Sequence, residues 1–177
     1  MLAVYVVVTA RCHVDVKSFS GVPSLTECHE SYVKLNGTVI FNYPTSACVG
    51  KGKITPGAAR GTNIHLIDVF ACSMIEYRNF DTHYHATESD RLRDYLDDLD
   101  EFAVITGHVL GGAQNELQND AYDAFSRVGV DVYGLEYGGS FAFVTQKSTN
   151  KTVLDKALTG AESSVNPAHV KVMITGM

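Results

Sequence analysis

The chain has 177 residues, 45% hydrophobic and 19% charged, enough to bury one sizeable core and with no need to divide into two. A formal net charge of -6 and a pI near 5.6 provide no basic field to replace counterions along a phosphate backbone or to hold an anionic membrane. Generic nucleic-acid and lipid-surface binding are therefore set aside.

The opening MLAVYVVVTARC carries an apolar or small run over residues 2–10, far short of the roughly 20 that span a bilayer. No basic residue precedes Leu2, so the run reads as a buried β-branched strand, with a leader remnant as the alternative. HVDVKSF, SYVKL and TVIFNY follow as short β-favouring runs. Asn36-Gly37 joins the last two, and both central positions of a type I′ turn need positive φ, so this pair predicts a hairpin. KGKITPGAARG, residues 51–61, reads as a surface loop. TNIHLIDVF and MIEYRNF form a second hairpin pair around Ala71-Cys72-Ser73.

ATESDRLRDYLDDLDE places Leu92, Tyr95, Leu96 and Leu99 on one helical stripe, with Thr87 or Ser89 as its cap. FAVITGHV is a buried strand. Leu117, Ala121, Ala124, Phe125 and Val128 then mark one face of a second helix, stopped by Gly129. VDVYGLEY, FAFVTQK and HVKVMIT read as further strands, and KTVLDKALTGAE as a third helix. Strands dominate, which makes a β-sandwich or a strongly bent mixed sheet with helices packed on it.

Cys12, Cys28, Cys48 and Cys72 allow three pairings, and the sequence does not choose among them. Two sequons, at Asn36 and Asn150, sit in polar turn-like contexts. An even cysteine count with two glycosylation candidates favours a secreted or extracellular glycoprotein with at least one disulfide over buried thiols in a reducing compartment.

Catalytic signals are weaker. His83-Tyr84-His85 alternates as a strand would and offers two imidazoles to a metal, but no third ligand stands at suitable spacing, so a polar strand end is preferred. Cys28 and His29 are adjacent and would point to opposite faces of an extended chain, unlike a nucleophile and its base. Asp94, Asp97, Asp98, Asp100 and Glu101 read as a solvated face, because a helix does not supply calcium geometry. Gly111-Gly112 matches no phosphate-binding fingerprint and reads as a turn. Tyr133 and Tyr137 are candidates for stacking on a sugar ring, with core packing as the preferred role.

The order ARGTNIHLIDVFACSMIEYRNFD, LRDYLDDLDEFAVITGHVLGGAQNELQNDAYDAFSRVG and GLEYGGSFAFVTQKS resembles the interleukin-like EMT inducer domain, the ILEI/PANDER family. Its most specific parts are Arg60-Gly61 leading into an apolar strand, the strand-to-helix passage over 102–129, and the aromatic strand at Phe141. The resemblance implies an α+β fold, a sandwich of two mainly antiparallel β-sheets with two or three packed helices. It would form one domain over 13–177, behind residues 1–12 as a strand or leader remnant.

The family likeness also implies no enzyme activity, no cofactor and an extracellular setting. Where related domains bind sugar they use polar turn residues. This chain has Gly111-Gly112 and Gly138-Gly139 in the corresponding turns, so Arg60 alone carries over, with Tyr137 as its aromatic companion. The expected function is a noncatalytic extracellular module that binds protein or glycan, with a place in a homo- or hetero-oligomeric structural or adhesive assembly as one form of it. A cytokine-like factor, a carbohydrate-binding accessory domain and a metal-dependent hydrolase stand as alternatives.

Overall fold

A computed structural model describes residues 11–19, 30–44, 60–110, 116–133, 135, 139–147, 153–158 and 168–175. The strands are β1 (Arg11–Ser18), β2 (Glu30–Leu35), β3 (Thr38–Pro44), β4 (Gly61–Asp68), β5 (Ser73–Phe80), β6 (Val104–Leu110), β7 (Phe141–Gln146), β8 (Val153–Leu158) and β9 (Ala168–Thr175). Helix α1 (Ala86–Asp98) follows β5, and α2 (Asn119–Arg127) follows β6. Among the described residues they build a four-stranded sheet, β3-β2-β1-β9, and a five-stranded sheet, β5-β4-β6-β7-β8, with every pair antiparallel. The α+β sandwich of two antiparallel sheets with helices is thus the observed fold.

Side-chain alternation divides the core into two layers. Ile64, Ile105, Val109, Phe141 and Phe143 pack with Leu92 and Leu96 of α1 and Ala124 and Phe125 of α2. The opposite faces of the same strands contribute Ile67, Val104, Ala142 and Val144, which meet Val14, Val16, Val33 and Val170 of the four-stranded sheet. The five-stranded sheet is covered on both faces, which is why β6 and the first five residues of β7 are buried throughout and read as continuous apolar runs.

Local chemistry explains the boundaries. Asn36 and Gly37 have φ of 48° and 81° between β2 and β3, the hairpin turn their sequence predicts. The end of α2 is a Schellman motif: Gly129, at φ 85°, donates its N–H to the Ser126 carbonyl, and Val130 donates to Phe125.

Four expectations are corrected. VDVYGLEY forms no strand in its described residues. Leu135 donates to the Val132 carbonyl in a turn, and Val130, Val132 and Leu135 fill the core under the helices, so burial rather than sheet pairing explains the apolar spacing. KTVLDKALTGAE is not a helix: its described part is β8, whose backbone takes up the edge of β7, leaving two helices among the described residues. His85, extended and without a side-chain cap bond, precedes α1, while Thr87 and Ser89 lie inside the helix. Ser89 is buried, and its Oγ accepts the Gln118 N–H at 2.8 Å, so it anchors the approach to α2 instead of capping α1. Finally, His83-Tyr84-His85 is a turn rather than a strand end, since the Tyr84 and His85 N–H groups both donate to the Asp81 carbonyl.

Candidate functional site

The β4–β5 turn and the segment after α1 stand on either side of a cleft of about 660 Å³. Leu66, Ile67, Leu99 and Val104 supply apolar lining, while Phe70, Ile75 and Phe102 stand 69%, 62% and 64% exposed around it. Isolated exposed apolar residues need no explanation, but three large ones around one concavity mark a surface made to be covered.

Both walls are fixed. Asp68 Oδ1 accepts the N–H groups of Phe70 and Ala71 at 2.8 and 2.9 Å, which closes the β4–β5 turn. A disulfide from Cys12 on β1 to Cys72, itself at φ 46°, ties that turn to the other sheet. On the opposite wall, Lys147 Nζ donates to the carbonyls of Leu96, Asp97 and Leu99 at 3.1, 2.7 and 2.5 Å. The ammonium satisfies the end of α1, whose last turn has no basic residue of its own. Phe102 donates its N–H to the Lys147 carbonyl at 2.6 Å and holds φ 72°, a conformation disfavoured for an aromatic residue yet fixed here with its ring exposed.

The rim is acidic. Asp68, Glu76, Asp98, Asp100 and Glu101 border the cleft, and no Lys, Arg or His is among its described lining. Tyr95 donates to Glu76 Oε2 at 3.4 Å; burial first, and then that carboxylate, push its hydroxyl up to about 12. The solvated-face expectation holds for Asp94, Asp97 and Asp98, all exposed. Asp97 nevertheless makes a two-pronged contact with Arg127, both bonds 2.8 Å, that clamps α1 to α2.

Arg60 lies at a different corner, just before β4. Its guanidinium sits 4.5 Å from the centre of the exposed Tyr84 ring, and its carbonyl accepts from Asn79. Asp81, whose Oδ1 is buried with no hydrogen-bond partner among the described residues, belongs to this corner through its backbone bonds to Tyr84 and His85. Tyr84 is thus a described aromatic whose ring Arg60 faces, while Tyr137 lies outside the described residues.

Tyr133 is not a core residue: it is exposed, stacks on Tyr122 at 4.9 Å and donates to Asp123. Asn36 is exposed in its turn with Oδ1 accepting the His13 N–H. Cys28, His29, Cys48, Gly111, Gly112 and Asn150 lie outside the described residues. Among those described, no group of three or more His, Cys, Asp or Glu side chains is gathered as for a metal ion.

The sequence reading passed over one buried polar pair. His65 on β4 and His108 on β6 are stacked between the sheets, with centroids 5.5 Å apart, planes 15° apart and both side chains fully buried. Phe41 and Tyr77 enclose them. His65 Nδ1 meets only the Met74 sulfur, at 3.5 Å, while His65 Nε2 and both His108 nitrogens have no partner among the described residues. Burial pushes the His65 imidazole down to about 4; burial, with His65 as a secondary charge, holds His108 well below its ordinary value. The available signal was a polar residue embedded in each of two apolar strands, TNIHLID and VITGHVL.

No helix among the described residues is long and apolar enough to cross a membrane. No curated protein matches the chain. The profile of the interleukin-like EMT inducer family matches residues 60–149, just over half of the chain, from the residue before β4 to just beyond β7. That span contains both helices, both turns that wall the cleft and the Arg60 corner. The chain belongs to the interleukin-like EMT inducer family.

Proposed function

We propose that the protein is a secreted, noncatalytic recognition module that engages a protein partner through the cleft between the β4–β5 turn and the end of α1. The observation that carries this reading is the set of three exposed apolar side chains on two walls fixed by a disulfide and a lysine cap. Exposed aromatic side chains around a preformed concavity match the aromatic-rich composition of an interface centre, and backbone walls that are already fixed lose little freedom on binding. The interleukin-like character of the family and the Cys12–Cys72 disulfide support a signalling role outside the cell. A noncatalytic reading is supported by the sealing of His65 and His108 between the sheets, away from any reactant.

A second reading, glycan binding, is favoured by the Arg60 guanidinium set against the exposed Tyr84 ring. One experiment separates the two: binding of the labelled full chain to cell surfaces treated with protease or with glycosidases. The protein-partner reading predicts binding that protease removes and that Phe70→Ser with Phe102→Asn weakens. Binding that glycosidases and Arg60→Ala remove, with the cleft variant unaffected, would overturn it in favour of the glycan.

A further inference from the structure

We infer that the cleft takes a cationic, amphipathic segment of its partner, with apolar side chains on the cleft floor and Lys or Arg side chains toward the rim. This rests on the protein-partner reading above and adds the chemistry of the occupant. Charge complementarity selects this occupant. Of the five rim carboxylates, Glu76 is paired with Arg78 and Asp68 is occupied by the turn amides. Asp98 and Asp100 have no ion-pair partner among the described residues. Lys147, the cation at the end of α1, is directed onto the carbonyls of Leu96, Asp97 and Leu99.

An uncharged apolar occupant would have to desolvate this acidic border without compensation, whereas a basic one gains steering and register from it. The same border disfavours a second copy, because two acidic rims would meet across such a contact. The floor supplies the apolar half of the match through Leu66, Ile67, Leu99 and Val104.

The test uses three ten-residue peptides of alternating Leu with Lys, Gln or Glu, and fluorescence anisotropy against the full chain at low and high salt. The expected result is binding of the Leu–Lys peptide alone, weakened by salt. Asp98→Asn and Asp100→Asn should each reduce its affinity about 2- to 5-fold, and Phe102→Asn about 30-fold. Asn tolerates the backbone at position 102 and removes the ring, so the variant keeps its fold while losing the anchor. Asp131→Asn, outside the cleft lining, should change nothing.

Equal binding of the Leu–Lys and Leu–Gln peptides, both lost in Phe102→Asn, would overturn the cationic occupant and leave the cleft as the site. Binding unmoved by Phe102→Asn, or weakened equally by Asp131→Asn, would overturn it as diffuse attraction. Self-association of the wild-type chain that Phe102→Asn abolishes would assign the cleft to a second copy. Failure of all three peptides would also overturn the inference, and the cell-surface experiment decides separately whether the protein-partner reading survives.

Discussion

Acid should weaken the sandwich from the inside. Both imidazoles of the His65–His108 pair are neutral in the folded chain because no described group repays the loss of water around a charge. In the unfolded chain each protonates near its ordinary value of 6.5. Above that value neither state is charged, and the pair adds no pH dependence. As pH falls below 6.5 the unfolded state binds protons that the folded state refuses, so stability declines.

For His65, lowered to about 4, the loss is about 2 kcal/mol at pH 5 and about 3 kcal/mol once pH reaches the folded value. His108 acts in the same direction. Among the described residues, the groups facing the pair are Tyr77, held up to about 12 by burial and donating to Asn63, along with Phe41 and Met74, and none of these takes up a proton between pH 6.5 and 4. Urea unfolding at pH 7.5, 6 and 5, for the wild type and for His65→Leu/His108→Leu, isolates the pair. The part-buried His169–Asp15 contact is common to both proteins and cancels in the difference. The wild type should lose at least about 2 kcal/mol more than the variant between pH 7.5 and 5. Equal slopes would refute the reasoning, because they would mean that the imidazoles reach a charge-stabilising partner or solvent.

Replacing Cys12 and Cys72 by Ala opens a cross-link between residues 60 positions apart, and should lower stability by about 4 kcal/mol in urea titrations, mainly by freeing the unfolded chain. Phe102→Gly should raise stability by about 1 to 2 kcal/mol, read as a higher Tm, by removing the penalty of positive φ on a side chain that packs little. Gly107→Ala should destabilise by about 1 to 3 kcal/mol, because its Cβ would meet Phe143 ring atoms at 2.4 and 2.5 Å and Ile64 Cδ1 at 2.9 Å. Gly61→Ala should be worse and abolish folded expression: φ is 88°, and the new Cβ would lie 2.1 Å from the Phe80 carbonyl oxygen and 2.7 Å from the Thr82 nitrogen, backbone atoms that cannot turn aside.

Features set by local chemistry were legible before the structure. Asn36-Gly37 encodes its turn through positive φ, and Gly129 stops α2 by the same means. The Leu92, Tyr95, Leu96 and Leu99 stripe follows helical period because one face of α1 lies on the sheet. Reading failed where tertiary context decided the outcome. VDVYGLEY has a strand's alternation, but its valines are buried in the core under the helices and its described residues join no sheet. The edge of β7 turned part of KTVLDKALTGAE into a strand.

The candidate site was hardly legible at all. Phe70 and Ile75 share the β4–β5 hairpin, but Phe102 joins them around one cleft only because β4 lies between β5 and β6, and nothing local distinguishes the three from ordinary surface residues. The choice of Cys72 as partner for Cys12 likewise required the two sheets to be stacked. Arg60 was found by resemblance, and its contact with Tyr84 came from the turn that replaced the expected strand end.

Amide hydrogen exchange on the full chain, alone and bound to the cell-surface protein that retains it, tests the recognition cleft most directly. New protection should concentrate in residues 68–76 and 98–104, the two walls. Protection confined to the Arg60–Tyr84 corner, or to the edge strand β3, would contradict the account.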